Sequence, residues 1–116
     1  MYPVKEIDAP ELIEWLSGDR TVRLIDVRSP AETARGIIEG AELIPLHLLP
    51  LNAEVIANTT AKEVPVVFYC RSGARSFQAC AYFMQRGRDN VLNLRGGVIA
   101  WARSGGQFVL PDRAAN

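Results

Sequence analysis

Histidine is nearly missing from this 116-residue chain, where His47 stands alone, and cysteine is almost as scarce, with only Cys70 and Cys80. A structural zinc site takes four ligands of these kinds, so the sequence predicts no metal centre. The two cysteines are ten residues apart. Most residues between them read as helix rising about 1.5 Å each, which sets the Cα atoms beyond the ~7 Å that a disulfide tolerates. Two separate thiols are expected. Net charge is missing too: 13 Lys and Arg cancel 13 Asp and Glu. No bulk field exists to recruit nucleic acid or an anionic membrane. The longest greasy stretch, Leu43 to Leu51, is interrupted by Pro45, His47 and Pro50 and falls far short of the ~20 residues that span a bilayer. Met1 to Glu6 holds no basic segment followed by an apolar one, so no secretory signal is expected. These absences predict a soluble, cytoplasmic protein that engages neither nucleic acid nor membrane. No cofactor is expected either, since no nucleotide-binding glycine pattern and no lysine-bearing phosphate loop occur.

What is present suits one domain over residues 1–116, with its core at about 4–106 and a polar tail at 112–116. The composition is 48% apolar, enough to fold without staples. Strand-like and helical segments alternate. Strands are predicted at Val4–Ile7, Val22–Val27, Glu42–Ile44, Val64–Tyr69 and Val91–Leu94. Helix starts are signalled by Asp8 with Pro10 and Glu11, and by Ser29-Pro30-Ala31-Glu32, a cap with its reciprocal glutamate. Leu46–Ala57 reads as irregular or helical. Further helices are expected from about Ala74 to Arg86 and around Trp101. Strands rich in Val, Leu and Ile that alternate with helices predict an α/β fold, a mainly parallel sheet covered on both faces. Ligands of such sheets bind beyond the carboxyl ends of the strands. Cys70 and Asp26-Val27-Arg28 lie at two such ends.

Cys70 also opens the segment Cys70-Arg71-Ser72-Gly73-Ala74-Arg75-Ser76, which leads into a helix. A thiol ionises at about 8.5 when free, and a helix N-terminus with nearby guanidinium groups lowers that to roughly 3.5–7.5. Ser72, Gly73 and Ala74 are small enough for the backbone to curl and aim its N–H groups inward, forming an anion nest. The first amides of the helix have no intrahelical acceptor and favour negative charge. A thiolate there needs no histidine base, and His47 reads as a packing or surface residue. Cys80 shares a helical face with Phe77, Ala81 and Met84 and is expected to be buried. Trp15 and Trp101 read as core. Asp26 either orients the loop, through its amides or an arginine, or caps the next turn. Arg28 and Glu32, four residues apart, are expected to pair across the start of the short helix.

The loop Cys70 to Ser76 resembles the active-site loop of the rhodanese-like sulfurtransferases. Leu24-Ile25-Asp26-Val27-Arg28-Ser29-Pro30-Ala31-Glu32 is similar to their first signature, Gly36 to Pro45 to the segment after it, and Asn93-Leu94-Arg95-Gly96-Gly97 with Trp101 to their C-terminal signature. The resemblance runs from about Asp8 to Trp101 in the family's order. It implies a five-stranded sheet and transfer of a sulfane sulfur. The Cys70 thiolate would attack the outer sulfur of thiosulfate or a persulfide and keep it as a persulfide. It would then yield the sulfur to cyanide or to a thiol such as glutathione or a reduced thioredoxin-like protein. The amides from Arg71 to Arg75 would stabilise both anionic forms. Arg71 would meet the donor, and Arg75 would point its fork at the donor or brace the loop. Phosphate- and arsenate-handling relatives carry one more residue between cysteine and arginine, so the tighter ring here favours a single sulfur atom. Ile37 and Glu39 stand where relatives often have histidine and proline. Arg95 would add positive charge if it faces the crevice. Non-catalytic rhodanese-like modules and persulfide relays are the competing readings.

Overall fold

The computed structural model describes residues 3–111; the polar tail expected at 112–116 lies outside them. The elements run β1 (Glu6–Ile7), α1 (Ala9–Ser17), β2 (Arg23–Asp26), α2 (Pro30–Thr33), β3 (Glu42–Leu43), a 3-10 turn (Leu46–Leu48), α3 (Leu49–Asn58), β4 (Val66–Tyr69), α4 (Ala74–Gln85), β5 (Val91–Leu94) and α5 (Gly97–Arg103). The five strands form one parallel sheet in the order β1-β5-β4-β2-β3.

The sheet separates two apolar layers, and the period-2 alternation of β4 shows how sequence writes both. Val66, Phe68 and Cys70 point into a core with Leu49, Ala53 and Ile56 of α3 and Ala79, Cys80 and Phe83 of α4. Val67 and Tyr69 point into the opposite core with Leu12 of α1 and Trp101 of α5. Every residue of β4 is buried, as expected of a central parallel strand covered on both faces.

β5 spans Val91–Leu94 as predicted, while the other four strands are shorter than the apolar runs that predict them. β1 and β3 lie at the two edges and pair for two residues each, with β5 and β2 respectively. Val4 and Ile44 still pack against the core without joining the ladder. Leu46–Ala57 resolves into the 3-10 turn and α3, the ambiguity having come from prolines at positions that a helix accepts in its first turn. Both predicted caps form. Asp8 accepts from the Glu11 N–H at 2.9 Å. Ser29 and Glu32 close a reciprocal capping box on α2, an arrangement that offsets two orphan donors of a helix too short to be stable alone.

The face of α4 differs from the expected one by a residue. Ser76, Ala79, Cys80 and Phe83 are its buried positions, spaced i, i+3, i+4, i+7. Cys80 is buried as expected, but Phe77 is 46% exposed. Ser76 takes the inward place because the first turn of α4 has to approach the sulfur of Cys70.

Candidate active site

Cys70 follows the last residue of β4 and is 1% exposed, buried between the strand end and α4. Two amides and a hydroxyl converge on its sulfur. The Gly73 N–H lies 3.1 Å from Sγ, the Ser76 N–H 3.5 Å, and the Ser76 hydroxyl oxygen 3.4 Å. Burial alone pushes the thiol up. The Ser76 hydroxyl and the amides of Ser76, Gly73 and Ser72 outweigh it, so that the Cys70 thiol sits below its ordinary value. This is the anion nest expected from the small residues of the loop, with one addition: Ser76, one residue past the amides expected to line it, brings both an N–H and a hydroxyl to the sulfur. Its small polar side chain on an otherwise inward-facing helix position was the signal for it.

The loop can take this shape because Gly73 adopts φ +105°, a left-handed conformation that costs an L-residue about 1–2 kcal/mol. Its carbonyl side is held from β5. Asn93 Nδ2 donates to the Gly73 carbonyl at 3.2 Å. Below the loop, the N–H groups of Val98 and Ile99 in the first turn of α5 donate to the carbonyls of Cys70 and Arg71 at 3.0 and 3.3 Å. A Cβ at Gly97 would collide with these same two carbonyls. The double glycine thus lets α5 dock end-on against the loop backbone, satisfying first-turn amides that a helix leaves orphaned.

The charged residues divide into those that brace and one that is free. Arg75 Nη1 and Nη2 meet Glu32 Oε1 and Oε2 at 2.7 and 2.9 Å. Of its two expected uses, bracing the loop is the one realised, across to α2. The fork on Glu32, aided by Ser29 and opposed by partial burial, lowers that carboxyl to about 2. The expected Arg28–Glu32 pair does not form. Arg28 precedes the Ser29 cap in extended backbone, where i, i+4 residues do not share a face. It turns back on Asp26 instead, with Nε at 3.0 Å from Oδ1 and Nη2 at 2.7 Å from Oδ2, and it also donates to the Gly36 carbonyl at 2.8 Å. Asp26 accepts the Arg28 backbone N–H as well, at 2.9 Å. It therefore orients an arginine and closes the turn at once. Both side chains are buried, so the pair is an internal brace of the turn after β2.

Arg71, Ser72 and Ala74 are exposed along the loop. Arg71 forms no ion pair with the described residues. Arg95 is bound to Glu6 at 3.1 Å with its side chain 66% exposed. His47 is exposed on the 3-10 turn. Trp101 is core, its Nε1–H donating to the Gln107 carbonyl at 3.0 Å, whereas Trp15 is half-buried beneath the Arg20 guanidinium. Among the described residues no cluster of three His, Cys, Asp or Glu side chains could hold a metal ion, and no helix is long and apolar enough to cross a membrane.

Together these features mark one class of protein: a parallel five-stranded α/β sheet carrying a buried cysteine, with loop and helix amides on its sulfur, at the end of the central strand. The rhodanese-like domain model matches residues 8–104, and this chain belongs to that family. It is 51% identical over 109 residues to a sulfurtransferase of Allochromatium vinosum, covering 94% of this chain and 98% of that protein. It is 39% identical over 98 residues to the putative sulfurtransferase YtwF of Bacillus subtilis, covering 84% of this chain and 90% of that one. The crystal structure of a rhodanese-like domain protein from Staphylococcus aureus superposes with a TM-score of 0.79 at 32% identity, over 94% of this chain and all of that one.

Proposed function

We propose that the protein is a sulfurtransferase that carries a sulfane sulfur on Cys70. The convergence of the Gly73 and Ser76 donors on a single buried sulfur is the observation that supports this reading most strongly. Hydrogen bonds to a charged acceptor contribute about 1.5–3 kcal/mol each, so three of them offset the burial of a thiolate. In the first half-reaction the Cys70 thiolate attacks the outer sulfur of thiosulfate or of a persulfide. The S–S bond of the donor breaks, its electron pair leaves with sulfite or a thiolate, and the outer sulfur stays on Cys70. In the second, cyanide, glutathione or a reduced thioredoxin-like protein attacks that terminal sulfur, and Cys70 departs as thiolate. Each half is a displacement at sulfur with no change in electron count, and because the first product leaves before the acceptor attacks, initial-rate plots are expected to be parallel.

The role of each side chain follows from where it sits. Arg71, exposed at the mouth, receives an anionic donor. Arg75 and Glu32 fix the loop between α2 and α4, and Asp26 with Arg28 fixes the wall behind it. The buried ring admits one additional sulfur atom more readily than a tetrahedral oxyanion. The two free cysteines suit a reducing, cytoplasmic setting. The relatedness to sulfurtransferases over nearly their whole length supports the enzymatic reading over a non-catalytic module.

Exposure to thiosulfate followed by intact-mass measurement tests the proposal. The protein is expected to gain the mass of one sulfur atom, to lose it on adding cyanide, and to gain nothing as Cys70→Ser. Absence of any gain with thiosulfate and with a low-molecular-weight persulfide, or a gain retained by Cys70→Ser, overturns it.

A further inference from the structure

Ser76 and Asn93 form a buried polar pair directly behind the reactive sulfur, 0% and 2% exposed respectively. The hydrogen-bond inventory of Asn93 fixes which way its carboxamide points. Nδ2 has two protons, and its two neighbours, the Gly73 carbonyl at 3.2 Å and Glu6 Oε2 at 3.1 Å, are both acceptors. Oδ1 therefore faces Ser76, whose hydroxyl oxygen is 2.5 Å away. An amide oxygen cannot donate, so at this distance the single Ser76 hydroxyl proton lies on Asn93. The lone pairs of Ser76 Oγ are then turned toward Cys70 Sγ at 3.4 Å. This arrangement suits a thiol: S–H donates to Ser76 Oγ, and Ser76 O–H donates to Asn93 Oδ1. It does not suit a thiolate, which has no proton to give and needs donors.

We propose that the Ser76 hydroxyl is a two-position donor, held on Asn93 while Cys70 is a thiol and turned onto the sulfur once Cys70 is a thiolate or persulfide, with Asn93 as its positioning residue. On ionisation the thiol proton passes to a base in solvent and the S–H to Ser76 Oγ bond goes with it; rotation about the Ser76 C–O bond then trades the bond to Asn93 Oδ1 for a charge-assisted one to the sulfur without moving the backbone. The same carboxamide holds the Gly73 carbonyl. It thereby links the hydroxyl to the loop amide that also donates to the sulfur. The charged groups of the site are Glu6 of β1 with Arg95, the exposed Arg71, Arg75 with Glu32, and Asp26 with Arg28. Of these only Glu6 touches Asn93 directly, at Nδ2.

The inference rests on Cys70 being the reacting sulfur, but its readout is ionisation rather than turnover, so failure of sulfur loading leaves it intact and the reverse also holds. In the native protein, the side-chain amide NMR signals of Asn93 are expected to titrate with the same midpoint as the rate of Cys70 alkylation by iodoacetamide. In Ser76→Ala, that movement of the Asn93 signals collapses and the midpoint of alkylation rises by about one pH unit, roughly a tenfold loss of rate below both midpoints. Asn93 signals that stay still through the native titration overturn the proposal, even if Ser76→Ala does not fold. So does a Ser76→Ala protein whose alkylation midpoint is unchanged or lower, since the hydroxyl would then remain on Asn93 in both states.

Discussion

Cys70 and Cys80 lie in one apolar layer, both buried at 1% and 0%, yet they are different chemical objects. Around Cys80 burial dominates, reinforced by the negative charge of Glu6, and the thiol is pushed up to about 12. Around Cys70 the same burial meets the Ser76 hydroxyl and the loop amides, and the outcome reverses. Removing a thiolate from water is costly unless donors are already in place, and a helix interior has none to spare. Cys80 sits in the middle of α4, where each N–H is committed to a carbonyl four residues back; Cys70 sits before its first turn, where they are not. What separates a reactive cysteine from a small core residue here is access to uncommitted backbone donors.

The sharpest way to break this contrast is to remove each sulfur in turn. Cys70→Ser is expected to abolish persulfide formation completely. Cys80→Ala is expected to keep loading within about twofold and to cost roughly 1–2 kcal/mol of stability for the small cavity, read from urea midpoints. Comparable losses of loading in both would end the distinction. A smaller change targets the donors. Gly73→Ala has room for its Cβ, with only ordinary contacts at 3.5–3.6 Å, but must hold φ +105°. A destabilisation of about 1–2 kcal/mol is expected, together with a rise in the alkylation midpoint of Cys70, while Cys80 stays unmodified under denaturant-free conditions.

The smallest effect concerns the brace. The Glu32 carboxyl is depressed to about 2 in the folded protein against an ordinary value near 4.3. A depressed acid contributes stability above its unfolded value and loses it as pH falls through its folded one. The Arg75–Glu32 pair therefore strengthens the fold at neutral pH, and that share fades between about pH 5 and pH 2. Both side chains are about a third exposed, so solvent screening holds the effect to roughly 1 kcal/mol or less. Urea midpoints of the native protein and Glu32→Gln are expected to differ at pH 7 and to converge near pH 2; a constant difference would contradict the assignment.

Much of this architecture was written locally. The alternation Val66-Val67-Phe68-Tyr69 assigns a buried strand and both core layers, and Asp8 and Ser29 announce their helices through the spacing of glutamate. The loop was legible from its small residues and its position before a helix. Partner choice was not. Arg28 and Glu32 have the spacing of a helical pair, but the helix starts at Pro30, and the partner of Glu32 is Arg75, 43 positions away in sequence. The role of Asn93 was equally hidden, because Ser76 meets it only after α4 folds over β5. A lone amide in Val91-Leu92-Asn93-Leu94 was the available sign. Edge-strand lengths were illegible for a related reason, being set by the register of a neighbouring strand rather than by the apolar run itself.

The pH dependence of alkylation, followed separately at each cysteine by peptide mass spectrometry of the native protein, bears most directly on the role of the loop donors. Cys70 is expected to react with a midpoint clearly below the ~8.5 of a free thiol, while Cys80 stays unmodified until the protein unfolds. A Cys70 midpoint at or above that of the free amino acid would contradict the account.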